Sequence, residues 1–312
     1  MKSQFHLLAL LCLALAIFAT GCKKADDASP KSSRKSASSK SSRKSTLTVT
    51  LPGNVKLEMK QIKAGSFLMG SPESGEGRFP WETQHRVTLT RDYWLGTYEV
   101  TQAQWRAVMG NNPSHFQGDD LPVEQVSWED AKAFCEKLNS DSSIKRPKGY
   151  RFDLPTEAQW EYACRGGRRG KGYRYSGGDS CSEVAWYVEN SGKSRLREID
   201  WQTATGEEID EFFRKAEENE CQPHPCGGKS PNELGLYDMS GNVWEWCRDW
   251  FEEGYADDPE FLRGQASGSS RVDRGGSWSI IARSCRSAFR SFSSPGFRFN
   301  FLGFRLALVP VQ

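Results

Sequence analysis

The sequence predicts an α+β fold that is low in regular secondary structure. Three observations carry this reading. Short alternating apolar–polar runs fill the first fifty or so residues of the folded part, 47–96, as half-buried strands require. They give way to segments with a 3.6-residue apolar period, each opened by a Ser or Thr suited to capping a helix. The 29 glycines and 11 tryptophans then favour long irregular connections over a regular bundle.

In chain order, Met1-Lys2 and the apolar run 7–19 form a charged start and a hydrophobic stretch too short to span a bilayer as a mature helix, which reads as an export signal over residues 1–21. The run ends in Ala19-Thr20-Gly21-Cys22. This resembles the lipobox of bacterial lipoproteins, with Ala19 where leucine is usual, and it implies acylation at Cys22. Residues 22–46 are Ser, Lys and Arg with almost nothing apolar, so they cannot bury enough surface to offset the entropy of ordering. We expect a basic tether carrying a net charge of +6 beside a lipid anchor. No aromatic residues interleave those charges, so no nucleic-acid platform is expected. The expected location is a membrane-anchored lipoprotein at the bacterial cell surface.

The folded domain is expected over residues 47–312. Residues 47–51, 55–59, 62–70, 86–89 and 93–96 read as strands, with turns at Pro52-Gly53 and Gly70-Ser71-Pro72. Thr101 caps a short helix closed by Gly110. Ser127 caps a clearer one, with Ala131, Phe134, Cys135 and Leu138 on one face, and Thr156 caps a third that carries Trp160, Ala163 and Cys164. Thr205 and Glu208 form a capping box before the stripe Ile209, Phe212, Phe213 and Ala216. That helix reads as a surface element, or alternatively as a docking element for a partner.

Seven blocks then carry a resemblance: GSFLMGS (65–71), YEVTQ (98–102), PVEQVSW (122–128), LPTEAQWEYA (154–163), GLYDMSGNVWEW (235–246), RGGSW (274–278) and GFRL (303–306). In this order they resemble the formylglycine-generating enzyme (sulfatase-modifying factor) family over nearly all of residues 60–308. The resemblance implies one C-type-lectin-like domain whose loops carry the function, with residues 190–231 longer than is usual for the family.

Members of that family oxidise a substrate cysteine with two copper-binding cysteines placed shortly after the Gly-Gly-Ser motif. Here Ile280 falls near the first position and Cys285 near the second, and an isoleucine cannot be a ligand. The expectation is therefore no catalysis, with an atypical formylglycine-generating oxidase as the alternative. Apart from Cys12 and Cys22 the chain has seven cysteines, an odd set, so at least one is unpaired. Cys221 and Cys226 are close enough in sequence for a local bridge. The resemblance implies Cys164 with Cys285, and a free reactive thiol at Cys285 is the other reading. No cofactor is expected to be required. Asp238, Gly241, Val243 and Glu245 match the family's calcium positions, which implies a structural ion held by two carboxylates and two carbonyls. In the alternative reading, Glu245 bonds backbone amides in the core.

Residues 274–305 mix two kinds of position. One kind, RGGSW, AR, CRSA, R, PG, R and LGFR, looks structural. The gaps between them are Ser279, Ile280, Ile281, Ser284, Phe289, Ser291, Phe292, Ser293, Ser294, Phe297, Phe299, Asn300 and Phe301, which use only Ser, Ile, Phe and Asn. This pattern resembles the treponemal variable proteins, targets of diversity-generating retroelements, in which Asn codons are mutated at adenine and cannot become Lys, Gln, Glu, Met or Trp. All thirteen gap residues obey that restriction.

The phenylalanines show no period of 2 or 3.6, which weighs against a purely core role. On one surface they would form an apolar patch suited to binding. Arg274, Arg283, Arg286, Arg290, Arg298 and Arg305 are expected to pair with Asp249, Glu252, Glu253, Asp257, Asp258 and Glu260 and so hold the loops. The expected function is non-catalytic binding of an unidentified protein or cell-surface ligand through the thirteen gap positions. A purely structural envelope lipoprotein is the remaining alternative.

Overall fold

The computed structural model describes residues 46–197, 199, 203–253 and 267–311. The expected signal, Cys22 and the tether as far as residue 45 lie outside the described residues, as do Asp257, Asp258 and Glu260. Among the described residues no helix is long and apolar enough to cross a membrane.

The N-terminal strands follow the alternation of the sequence. β1 (Thr46–Thr50) pairs antiparallel with β2 (Lys56–Ile62), and β3 (Gly65–Met69) pairs with β4 (His85–Leu89) as a separate two-stranded ribbon. β5 (Tyr93–Gly96), β6 (Tyr150–Asp153) and the C-terminal β11 (Ala307–Pro310) complete a five-stranded sheet in the order β1-β2-β5-β11-β6. The last strand thus closes the domain against the first part of the chain.

A second sheet has the order β10-β7-β8-β9, from β7 (Trp244–Trp250), β8 (Arg271–Arg274), β9 (Arg290–Ser293) and β10 (Leu302–Gly303). Three of its four strands belong to residues 271–303, so the aperiodic segment is woven into a sheet. The sequence reading assigned no strand there.

The helices begin where their caps predict. α1 (Gln102–Met109), α2 (Trp128–Ser140), α3 (Glu157–Cys164) and α5 (Gly206–Glu218) each carry a complete capping box, at Thr101, Ser127, Thr156 and Thr205, and α4 is a single turn (Cys181–Val184). The box satisfies two backbone N–H groups that would otherwise lack partners. α1 ends at Gly110 with φ +85°, the left-handed residue its sequence promised.

α5 does not lie idle on the surface. Its buried Ile209, Phe212, Phe213 and Ala216 pack with Val188, Cys221, Val243 and Trp278. The longer connection therefore supports Trp278 of the RGGSW block from below, which uses its apolar stripe internally.

Candidate functional site

Between its strands, the segment 274–305 is held by buried arginines. Arg274 is fully buried; it is paired with Glu161 and donates to the carbonyls of Ser287 (3.1 Å), Ala288 (3.2 Å) and Phe289. Arg290 grips Glu157 with two parallel bonds of 2.6 and 2.8 Å. Arg286 grips Glu82 in the same way at 2.7 and 2.9 Å and donates to the Gly77 carbonyl. Arg283 also bonds the Gly77 carbonyl, at 2.9 Å, and covers the Phe79 ring. Arg298, which is exposed, meets Asp130 of α2.

Among the described residues the expectation that these arginines pair with Asp249, Glu252 and Glu253 is corrected: their carboxylate partners include Glu82, Asp130, Glu157, Glu161 and Glu245, and the backbone carbonyl of Glu252 accepts from Arg290, while Asp257, Asp258 and Glu260 lie outside the described residues. The reason is geometric. α3 packs its Glu157 and Glu161 toward the inner side of β7 and β8 and meets the guanidinium groups there. The signal available in the sequence was Glu157 and Glu161, four apart on a helix otherwise made mostly of Ala, Trp, Tyr and Cys.

On this framework the thirteen gap positions divide. Ser279, Ile280, Ser284, Phe289 and Asn300 are buried, and the other eight are half-buried or exposed. Ile280 and Phe289 belong to the main core, where Phe289 meets Phe79 edge-on at 5.1 Å and tilts against Trp244 at 5.8 Å. The expectation of one outward face therefore narrows to eight positions, because the chain is buried at 279–280, at 284–290 and again at 300.

Among the eight, Phe292 stacks on Phe251 at 4.1 Å, and Phe297, Phe299 and Phe301 form a continuous row. Phe297 is 51% exposed and Phe292 40%, the two most exposed of the row and its neighbour. Nearby, in the core cluster that includes α5, Phe116 is edge-on to His115 at 4.8 Å and to the buried Trp278 at 5.4 Å.

The backbone beneath the row is pinned by residues from elsewhere. Trp128 N–H donates to the Pro295 carbonyl (2.9 Å), Gln125 N–H to Phe299 (2.9 Å) and Trp244 N–H to Phe301 (2.8 Å). These bonds are made by the backbone, so the course of the loop does not depend on which side chain stands at each position.

Ser291 and Ser293 of β9 face Asp273 of β8, whose carboxyl burial raises to about 7 against hydrogen bonding from the two serines. A raised carboxyl pKa means that the folded state holds a proton the unfolded state has released between about pH 4 and pH 7. Stability from this group is therefore lost as pH rises through that window. Asp273→Asn is expected to flatten that slope and to raise the melting temperature at pH 8, with the gain over the parent vanishing below about pH 4, as thermal scans across pH would show.

The calcium expectation fares differently. Both Glu245 oxygens are taken by Arg305, at 2.6 and 2.7 Å, and one of them also accepts from Trp160 Nε1 at 2.6 Å. Arg305 continues to the carbonyls of Gly96 and Tyr237. A cation would have to displace a guanidinium already neutralising this carboxylate, so the set Asp238, Gly241, Val243 and Glu245 does not fit the ion in this arrangement. Asp238 spends Oδ2 on the Gly227 N–H at 2.6 Å, and burial raises its carboxyl to about 6.

The cysteines also differ from both expected bridges. The Cys221 thiol donates to the Val188 carbonyl (3.4 Å), whereas Cys226 donates to Glu99 (3.4 Å), so the two point apart. Cys164 turns to the Met239 carbonyl. Cys285 donates to the Ile281 carbonyl at 3.8 Å and adjoins Cys181. Among the described residues no group of three or more His, Cys, Asp or Glu side chains is arranged to hold a metal ion.

Comparison with known proteins agrees with this architecture. The model of the family described as "Sulfatase-modifying factor enzyme 1-like domain" matches residues 45–309. The chaperone protein LppX of Paenibacillus barcinonensis is 38% identical over 62% of this chain and 71% of its own length. The formylglycine-generating enzyme of Streptomyces coelicolor is 34% identical over 69% of this chain, which spans 60% of that enzyme. Among solved structures, Treponema denticola variable protein 1 superposes with a TM-score of 0.67 at 34% identity, over 85% of this chain and 99% of its own. The fold and the resemblance expected from the sequence are thus both met.

Proposed function

The chain belongs to the sulfatase-modifying factor enzyme 1-like domain family, and we propose that it uses this scaffold to bind a ligand rather than to oxidise a cysteine. In this reading it is an exported lipoprotein anchored at the bacterial cell surface through Cys22, and its C-terminal segment is diversified by a retroelement to vary specificity. The partner is a protein or another cell-surface component. The observation that carries the reading is the row Phe297, Phe299 and Phe301, exposed at Phe297 and seated on the core at Phe299 and Phe301, on a backbone fixed by bonds from other elements. Large rigid rings with small serine neighbours give contact area at little entropic cost. The similarity to Treponema denticola variable protein 1 supports it.

The oxidase alternative is favoured by the 34% identity to the Streptomyces coelicolor enzyme. Against it, Ile280 is a core residue and Cys285 meets a different cysteine, from α4. Incubating the copper-loaded chain with a peptide bearing the sulfatase cysteine motif, and probing for aldehyde, separates the two. The expected result is unmodified cysteine in the peptide. Turnover to formylglycine would contradict the binding reading.

A further inference from the structure

All seven described cysteines carry free thiols in this structure, and six are buried. For five of them the surroundings are not another sulfur. Cys135 lies beside Lys132 and Asp153, Cys164 beside Ser287 and the Met239 carbonyl, and Cys247 below the Glu245 carbonyl. Cys221 and Cys226 donate to Val188 and Glu99. Cys181 and Cys285 are the exception: the two thiols adjoin each other, both belong to the main core, and the Tyr175 ring adjoins both, while the Cys285 thiol donates to the Ile281 carbonyl at 3.8 Å.

Both backbones are already positioned for this contact. Cys181 opens the α4 turn, closed by the Ala185 N–H bond to the Cys181 carbonyl at 2.9 Å. Cys285 ends the 3-10 turn Ala282–Cys285, and its carbonyl accepts from the Ser240 hydroxyl at 2.8 Å. Gly276, at φ +80°, leaves the room that the Cys285 sulfur occupies, since a Cβ there would sit 2.7 Å from it. The RGGSW glycine thus makes space for a sulfur from its own segment.

We propose that Cys181 and Cys285 form a disulfide that ties the floor of residues 274–305 to the α4 turn. The oxidant is a disulfide, either a small one such as oxidised glutathione or a protein dithiol–disulfide oxidoreductase. One cysteine thiolate attacks an oxidant sulfur and expels the other as a thiolate. The second cysteine attacks the mixed disulfide, the Cys181–Cys285 bond forms, and the second oxidant sulfur leaves. The oxidant gains the two electrons and takes up the two thiol protons, becoming two thiols.

Burial holds the Cys181 thiol well above its ordinary range, so little thiolate exists once the core has closed and the exchange belongs to the folding chain. The same burial protects the finished bond from reductants. The two residues are about a hundred positions apart, so the bond closes a long loop of the unfolded chain and removes much of its freedom. The bond is independent of whether the segment binds a ligand.

The test is to refold the full chain with oxidised and reduced glutathione, alkylate the remaining thiols under denaturing conditions, digest without reduction and map the peptides by mass spectrometry. The expected result is a Cys181 peptide joined to a Cys285 peptide. The melting temperature should exceed that of the chain refolded in reductant by roughly 10 °C. Cys164→Ser should leave the cross-link intact, and Cys181→Ala should abolish it and the temperature difference together. Alkylated Cys181 and Cys285 in the oxidised sample, or Cys285 joined to Cys164, would overturn the proposal.

Discussion

Arg274→Met should cost about 3–5 kcal/mol of folding stability, read from the shift of a urea unfolding curve, because it leaves buried charge and buried carbonyls without their partner. Arg274 has no solvent exposure and neither has Glu161. The methionine fills much of the volume, so the loss isolates electrostatics from packing. Its guanidinium also holds the carbonyls of Ser287, Ala288 and Phe289, where the chain turns inward. Burial alone would push the Glu161 carboxyl up, and Arg165 with Arg274 holds it below the ordinary range instead. A depressed carboxyl contributes stability that is present above its unfolded pKa and is lost as pH falls through the folded one. The gap between parent and variant should therefore narrow in acid, as Glu161 takes up its proton in both.

Phe289→Ser and Phe297→Ser should behave oppositely although both change the same residue type in the same segment. Phe289 is 4% exposed and contacts Phe79 and Trp244. Losing its ring opens a cavity and buries a hydroxyl, at a cost of about 3–5 kcal/mol. Phe297 projects into solvent, and its loss should change stability by no more than about 0.5 kcal/mol. Denaturant unfolding of the two variants side by side gives the comparison. In a diversified repertoire, this difference would confine the tolerated residues at 289 to those that fill the core, while position 297 stays free.

What was readable in the sequence was local. Strand alternation, the Ser and Thr caps and the glycine after α1 act within a few residues, and the structure has them where they were expected. The seven blocks also made the fold class readable. The arginine partners were not, because Arg290 reaches Glu157 and Arg286 reaches Glu82 across more than a hundred positions. Nearness in sequence suggested the acidic run after β7 instead. Phe289 was missed as a core residue for a related reason: residues 279–301 pass through a 3-10 turn, a short strand and a tight turn, so no single period marks the inner face. The Cys181–Cys285 contact likewise depends on how α4 and the 3-10 turn are brought together.

Randomising the gap positions in two displayed libraries, and panning each against a soluble protein such as egg-white lysozyme, tests the central claim most directly. One library varies Ile281, Ser291, Phe292, Ser293, Ser294, Phe297, Phe299 and Phe301, and the other varies Ser279, Ile280, Ser284, Phe289 and Asn300. The account predicts that most clones of the first library fold and that it yields binders, while the second yields mostly unfolded chains and none. Recovery of binders from the inner library alone, or collapse of folding in the outer one, would contradict it.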